Sequence, residues 1–138
     1  MLTKTAISFT VPAIPTAQPR PKATTINGYG RIYQAEKSHP IHDYKASVRL
    51  AASQVHTGAP LEGPLRVDIT CIFPSKSKHR KYKATKPDAD NLAKSTLDAL
   101  NGRLFRDDGQ VVSLSIDKWH AAKDEQPHVD VRVICLEE

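Results

Sequence analysis

Four aspartates that stand close together in the sequence are the residues best suited to chemistry. Asp88 and Asp90 lie in KPDADNLAKSTLDAL, and Asp107 and Asp108 follow in RLFRDDGQVV. Carboxylate oxygens are the ligands that Mg²⁺ and Mn²⁺ prefer, and such a cation makes a phosphodiester open to attack by water. The residue types therefore fit a metal-dependent phosphoryl-transfer site.

The spacing of these residues predicts how they are positioned. The sequence predicts a helix over about 88–100, in which Asp90 and Lys94 lie one turn apart on one face. Lys94 is then placed to orient water or to offset charge in the transition state. Asp107 and Asp108 precede a predicted strand, where neighbours point to opposite faces, so we expect at most one to join the first pair. The other is expected to face solvent or to cap a turn.

Each of these features also has a structural explanation. An aspartate at a helix start caps free N–H groups and is stabilised by the helix dipole. Asp-Asp-Gly is common in turns, and Asp90 with Lys94 has the spacing of an ordinary helical ion pair. The combination is harder to explain structurally than its parts, but spacing alone leaves both explanations open.

A basic run comes directly before the acids. Residues 74–86, PSKSKHRKYKATK, carry six Lys/Arg and no acid. Residues 1–86 hold 14 Lys/Arg against 4 Asp/Glu, whereas residues 87–138 hold 6 against 11. This asymmetry indicates a polyanionic partner, nucleic acid before membrane.

The basic run has no apolar period, so we expect a mobile loop at about 74–86. A lysine-rich loop is often merely solvated, but its composition also fits phosphate contact with little reading of sequence. The residues that we assign to nucleic-acid binding are the six cations of this run and two from the proline-rich segment near the N-terminus: Lys76, Lys78, Arg80, Lys81, Lys83, Lys86, Arg20 and Lys22.

The apolar patterns predict one small α+β domain over residues 1–138, with a mixed β-sheet and two main helices. The predicted order is β-(ββ)-α-β-loop-α-β-β. The clearest strand is LRVDITCIF, residues 65–73, whose apolar residues alternate along its length. A helix is predicted over about 41–55, and the late strands over about 111–119 and 128–136.

Composition excludes several classes of protein. No apolar run approaches the roughly 20 residues that a membrane span needs, and the N-terminus lacks the apolar segment of a secretory signal. Cys71 and Cys135 lie in strand-like runs without the spacing of a zinc site. We therefore expect a cytoplasmic protein with reduced, buried cysteines and no membrane association.

The residues resemble those of RusA-type Holliday junction resolvases, which are crossover junction endodeoxyribonucleases. The resemblance is strong over about 86–119 and looser in the N-terminal half. It is carried by a Lys/Arg-Pro-Asp-x-Asp-Asn-Leu run, a lysine four residues past the second Asp, an Asp-Ala-Leu and then an Asp-Asp-x-Gln-Val. In this sequence the pattern is formed by Lys86, Pro87, Asp88, Asp90, Asn91, Leu92, Lys94, Asp98, Ala99, Leu100, Asp107, Asp108, Gln110 and Val111.

The resemblance implies a metal-dependent enzyme of DNA recombination and repair, often phage- or prophage-borne. Such an enzyme acts as a homodimer, binds four-way DNA junctions and resolves them by paired symmetric nicks, with Mg²⁺ or Mn²⁺. Asp88, Asp90 and Asp108 match the catalytic, metal-binding carboxylates of the family, and Lys94 matches its catalytic lysine. Asp107 is assigned no metal role.

Two other readings remain open at the level of sequence. One is a non-catalytic module that binds branched DNA, and the other is a general metal-dependent nuclease. A PD-(D/E)xK nuclease needs an acid-x-Lys on a strand, and Asp117 with Lys118 lacks the intervening residue. For the dimer contact, we expect a contribution from strand 65–73 or from residues flanking the basic run.

Overall fold

The structure, a computed structural model, describes residues 5–19, 22–26, 29–33 and 38–136. These residues form one small α+β domain with a mixed five-stranded sheet and two helices, as the sequence predicts. The elements in chain order are β1 (Ala6–Val11), β2 (Lys22–Ile26), β3 (Tyr29–Tyr33), α1 (Pro40–Val55), β4 (Leu65–Phe73), β5 (Lys81–Tyr82), α2 (Ala89–Leu100), a 3-10 turn (Asp108–Gln110), β6 (Val111–His120) and β7 (His128–Cys135).

The main sheet has β4 at its centre, in the order β1-β7-β4-β6-β5. β4 pairs antiparallel with β7 and parallel with β6, so that Ile69 lies between Val131 and Ile116. The remaining neighbours in this sheet pair antiparallel. β2 and β3 form a separate antiparallel pair. Alternate residues of β4 are buried from Leu65 to Cys71, as one face of the strand packs into the core, and Ile72 and Phe73 at its end are both buried.

The two helices pack together over this face of the sheet. α1 begins with Pro40, and the Nδ1 atom of His39 accepts a hydrogen bond of 3.0 Å from the backbone N–H of Ile41. Inside the core, the hydroxyl groups of Tyr44 and Thr96 are 2.8 Å apart and join α1 to α2. Burial raises the pKa of Tyr44 above its ordinary value, so this hydroxyl remains protonated.

The direction of α2 is opposite to that of β6. At the start of the helix, the Lys118 ammonium group on β6 donates to the carbonyl oxygens of Thr85 and Pro87, each at 2.8 Å. Beyond the end of the helix, the amide N–H of Leu61 donates to the Leu104 carbonyl at 2.8 Å, close to the start of β4 and β6. α2 therefore begins beside the end of β6 and finishes beside its start.

A short strand, β5, lies inside the segment that the sequence predicts as a loop. Its two residues pair with Trp119 and His120, and the next amide, that of Lys83, donates to the Lys118 carbonyl at 3.0 Å. The rings of Tyr82 and Trp119 stack with centroids 4.0 Å apart. Both residues of β5 are exposed, so no alternating apolar pattern marks the strand in the sequence.

The cysteines are free thiols. Cys71 is buried in β4, and burial raises its pKa to about 12, so it is an inert thiol at neutral pH. Cys135 is half-buried rather than buried, because it lies at the end of β7. In the described part of the chain, no helix is long and apolar enough to cross a membrane.

The packing of α2 gives a test of the fold. Leu92 is fully buried on α2, whereas Leu50 on α1 is 62% exposed. We expect Leu92→Ala to lower the free energy of unfolding by about 2–5 kcal/mol, because it leaves a cavity under the helix. Leu50→Ala is the matched control and should change it by less than about 0.5 kcal/mol. Urea denaturation followed by circular dichroism measures both, and equal losses would contradict this packing.

Candidate active site

Asp88 and Asp90 lie at the N-terminus of α2, and both side chains are exposed. Asp88 occupies the N-cap position with extended backbone angles, yet its side chain makes no capping hydrogen bond. A capping aspartate normally accepts a bond from a free N–H of the first turn. The backbone of the first turn therefore receives no cap from Asp88, whose carboxylate is exposed.

Lys94 lies on the exposed side of α2, one turn beyond Asp90. Its ammonium group is 3.4 Å from a carboxylate oxygen of Asp98. This ion pair joins Lys94 to the acid that follows it by one turn on the helix. An exposed pair of this kind contributes little free energy, so Lys94 can exchange it for another anionic partner.

Lys118 is a site-positioning residue that sequence reasoning missed. Its half-buried side chain extends from β6 and donates hydrogen bonds to two backbone carbonyls in residues 85–87, the segment directly before Asp88. This segment includes the cis peptide bond between Lys86 and Pro87. The sequence does contain a pattern that predicts the orientation of Lys118. Lys118 continues the alternation of Leu114 and Ile116 along β6, so it faces the helix layer rather than solvent.

Asp107 has a structural role. Its carboxylate accepts a hydrogen bond of 3.0 Å from the Gly109 N–H, and its own N–H donates to the Gln110 side chain at 2.9 Å. Gln110 in turn donates to the carbonyls of Leu61 and Gly63, each at 3.0 Å. One acid of the pair was expected to cap a turn, and Asp107 does so.

Asp108 begins the 3-10 turn, and its side chain is exposed at the start of β6. Val111 pairs with Leu65, whereas Lys118 pairs with Cys71 seven residues further along β6. At about 3.3 Å per residue, this stretch of β6 is about 23 Å long. Asp108 therefore lies at the opposite end of the strand from the start of α2.

The expected convergence of three carboxylates does not occur within one chain. Asp88 and Asp90 share the start of α2, but Asp108 is remote from them because α2 and β6 run in opposite directions. Among the described residues, no group of three or more His, Cys, Asp or Glu side chains is arranged to hold a metal ion.

The basic run presents two kinds of cation. Lys76, Lys78, Lys81 and Lys86 are exposed. The others have partners within the protein. Arg80 forms an ion pair with Glu125, which raises the pKa of Arg80 and lowers that of Glu125. Lys83 donates to the Thr85 hydroxyl at 3.0 Å and lies 5.2 Å from the centre of the Phe73 ring.

Arg20 and Lys22 are the two remaining residues predicted to bind nucleic acid, and Arg20 lies outside the described residues. For Lys22 the structure describes only the backbone, in β2. The preceding residues do lie near the site, because the Gln18 N–H donates to the Asn91 carbonyl at 3.0 Å. The proline-rich segment therefore packs along the first turns of α2.

An aromatic surface adjoins these lysines. Tyr82, which is 70% exposed, covers one face of Trp119. His120 pairs with Lys81 across the two strands. Partial desolvation, followed by the charges of Lys83 and Lys81, lowers the pKa of His120, so this histidine is neutral at pH 7.

Exposed carboxylates at a helix start, bordered by a surface of exposed lysines, are features suited to an enzyme that acts on a polyanion. The chain matches the family model described as "Endodeoxyribonuclease RusA" over residues 12–134. It therefore belongs to the RusA family of endodeoxyribonucleases, which are hydrolases. The resemblance seen in the sequence is confirmed.

Two relatives match over nearly their whole lengths. The first is the uncharacterized protein YqaN of Bacillus subtilis (strain 168), 36% identical over 140 residues, with 92% of this chain and 94% of the relative covered. The second is the crossover junction endodeoxyribonuclease rusA of Lactococcus phage r1t, 24% identical over 133 residues, with 94% of this chain and 97% of the relative covered.

The exposed lysines give a test of the basic surface. We expect a Lys76→Ala, Lys78→Ala, Lys81→Ala triple variant to bind branched DNA about tenfold more weakly, with a salt slope reduced by about 3, because three phosphate contacts are lost. Fluorescence anisotropy from 50 to about 200 mM salt measures both quantities.

The matched control removes exposed cations elsewhere. Arg66 and Arg132 lie on strands of the main sheet, and both are exposed. An Arg66→Ala, Arg132→Ala variant should bind with nearly unchanged affinity. Equal salt slopes for the triple variant and the parent protein would refute the assignment of these lysines.

Proposed function

We propose that this protein is a metal-dependent endonuclease that resolves four-way DNA junctions by paired symmetric nicks, acting in the cytoplasm in recombination and repair. The observation that carries the proposal is the exposed, uncapped carboxylate of Asp88 beside Asp90, at a helix start next to the basic surface. Membership of the RusA family supports the DNA substrate and the hydrolytic chemistry. One relative, the phage protein, is named for crossover junction cleavage.

The donor set fits a hard divalent cation. Carboxylate oxygens suit Mg²⁺ and Mn²⁺, and we assign Asp88, Asp90 and Asp108 to hold the ion. When bound, the cation would lower the pKa of a water molecule and stabilise charge on the scissile phosphate. Asp88 is supported in this role by its lack of a capping bond, and all three side chains are exposed.

The other residues bind and orient the substrate. The exposed lysines Lys76, Lys78, Lys81 and Lys86 would neutralise backbone phosphates, a contact that holds DNA without reading its sequence. Lys94, one turn from Asp90, would exchange Asp98 for the scissile phosphate or the attacking water. Lys118 fixes the segment before Asp88, and so sets the position of that carboxylate.

The third carboxylate would come from a second copy of the chain. Within one chain Asp108 precedes Val111, which lies about 23 Å along β6 from Lys118, so Asp108 cannot join Asp88 and Asp90. In a homodimer, Asp108 of each copy would instead join Asp88 and Asp90 of the other copy. A two-fold dimer also matches a substrate with two symmetric scissile phosphates, one for each site.

The proposed reaction is tested with labelled four-way junction, linear duplex and single strand, each with and without Mg²⁺. We expect cleavage of the junction alone, and only with the metal. Asp88→Asn should lower the rate about a thousandfold, because losing a metal ligand removes several kcal/mol of transition-state stabilisation. Junction binding without metal should be kept. The control is Asp124→Asn, at an exposed position with a φ of 66° that asparagine also adopts.

Two outcomes would overturn this assignment. Equal cleavage of all three DNAs would identify a general metal-dependent nuclease. Junction binding without cleavage under any divalent metal would identify a non-catalytic module for branched DNA.

The sharing of Asp108 is tested by mixing two inactive proteins. A dimer of one Asp88→Asn chain and one Asp108→Asn chain would contain one site with both defects and one intact site. Random mixing should therefore restore about a quarter of the parental nicking rate, as single nicks. If all three carboxylates came from one chain, every site in the mixture would stay defective, and no activity would return.

A further inference from the structure

A small pocket lies where the C-terminal ends of α1 and α2 meet. Its volume is about 110 Å³, and its apolar wall is formed by Ala52, Leu100 and Leu104, all of which are buried. The polar part of the lining consists of Ser53, His56, Arg49 and Arg103. Among the described residues, two arginines and no carboxylate therefore line this pocket.

Arg49 brings an unmet hydrogen-bond donor to the pocket. Its Nε atom is buried and has no hydrogen-bond partner in the described part of the chain. A buried donor without an acceptor costs free energy, and the cost is larger for a charged group. An acceptor that enters the pocket would remove this cost, so Arg49 favours an anionic ligand.

Helix capping does not account for the two arginines. A basic side chain near a helix C-terminus often donates to the last carbonyl groups. Neither Arg49 nor Arg103 does so, and within the described ranges neither has a carboxylate partner. Arg66, Arg80 and Arg106, by contrast, each form an ion pair with an acid. The two guanidinium groups at the pocket are thus available to a ligand.

The other polar groups of the lining already have partners. The Ser53 hydroxyl donates to the Leu50 carbonyl at 2.7 Å. The His56 Nε2–H donates to the Ala59 carbonyl at 2.8 Å. Since these donors are used within the chain, an anion in the pocket would be bound by the two arginines.

We propose that this pocket binds a phosphate group, held between the guanidinium groups of Arg49 and Arg103. The planar guanidinium carries paired N–H donors that match the oxygen atoms of phosphate. Buried apolar walls lower the local dielectric and so strengthen the attraction between the charges. The volume suits a group of a few atoms, since pockets for whole ligands measure about 300–1,000 Å³. Arg103 is exposed, so the pocket opens to solvent and can admit one phosphate of a longer chain.

Two sources supply such a group: free phosphate in solution and the DNA backbone. The position of the pocket favours DNA, and this step rests on the proposed function. α2 has 12 residues and is about 18 Å long, with Asp88 at its start and the pocket at its end. Lys94 lies between them on the exposed side of the helix. Base pairs are about 3.4 Å apart, so a duplex arm that follows α2 would bring a phosphate about five base pairs from the scissile one to the pocket.

Junction binding without metal tests the DNA source. We expect Arg49→Gln and Arg103→Gln each to reduce the salt slope of binding by about 1, and the double variant to reduce it by no more, because both side chains hold one phosphate. A reduction of about 2 in the double variant would show two separate contacts and overturn the shared pocket. Fluorescence anisotropy with a labelled four-way junction at several salt concentrations measures these slopes.

The matched control is Arg106→Gln, which should keep the parental slope. Arg106 is an exposed cation three residues beyond Arg103, and it is paired with Glu62. Circular dichroism shows which variants are folded. Because Arg103 is exposed, Arg103→Gln tests the pocket even where Arg49→Gln destabilises the core.

Free phosphate is tested on the protein without DNA. Inorganic phosphate, compared with chloride at equal ionic strength, should raise the unfolding temperature of the parent protein and of Arg106→Gln, but not that of Arg49→Gln or Arg103→Gln. Stabilisation by phosphate with unchanged salt slopes for the junction would identify free phosphate as the ligand. Reduced slopes without stabilisation would identify the DNA backbone. If neither quantity depends on the two arginines, the proposal is wrong.

Neutral substitutions in the DNA locate the bound phosphate. A single methylphosphonate, which removes the charge of one phosphate, is moved along one arm of the junction. For the parent protein we expect binding about tenfold weaker when the substitution lies about five base pairs from the nicked position. In Arg103→Gln the same substitution should have no further effect, because the contact is already lost. Equal losses in both proteins at every position would refute the DNA assignment.

The pocket and the nuclease can fail separately. Binding that depends on Arg49 and Arg103, with no cleavage under any divalent metal, would keep the pocket and refute the proposed function. Metal-dependent junction cleavage, with phosphate binding and salt slopes unaffected by Arg49→Gln and Arg103→Gln, would refute the pocket and keep the nuclease.

Discussion

The parallel pairing of β4 with β6 determines where the candidate carboxylates lie. Two parallel neighbours require the chain to return from the end of the first strand to the start of the second, and α2 is the element that makes this return. The helix consequently starts at one end of β6, where Asp88 and Asp90 are displayed. It finishes at the other end, where the chain turns through Asp107 and Asp108. The crossover therefore separates acids that are close in sequence.

Much of this architecture is visible in the sequence. The alternation in residues 65–73 predicts β4, and the spacing of Leu92 and Leu100 predicts α2. The motif around Asp88 and Asp90 is long enough to identify the family. The separation of Asp108 could not be predicted, because apolar periodicity shows that a segment is a strand but not the direction in which its neighbour runs. Apolar periodicity did not predict β5 for a related reason. This strand is stabilised by one ring stack and by backbone pairing, not by an apolar face.

The cations of residues 74–86 fall into two groups: those that bind partners within the protein, and those that are exposed to solvent. Arg80 and Lys83 are held by Glu125, Thr85 and the Phe73 ring, so they order the segment that carries the exposed lysines. Charge counting treats all of these cations alike. Only their partners distinguish them, and those partners come from elements distant in sequence, such as Glu125 after β6.

The start of α2 lacks the side-chain cap that its own N-cap residue, Asp88, could provide. A capping aspartate typically adds about 0.5–2 kcal/mol to a helix, and Asp88 has the position and backbone angles for that role without making the bond. The first turn is therefore less stable than the sequence would allow. Selection for thermal stability alone would favour a side chain that bends back to the backbone, whereas the Asp88 carboxylate is exposed and makes no such bond. A cation held by this carboxylate would thus displace no hydrogen bond from the first turn of the helix.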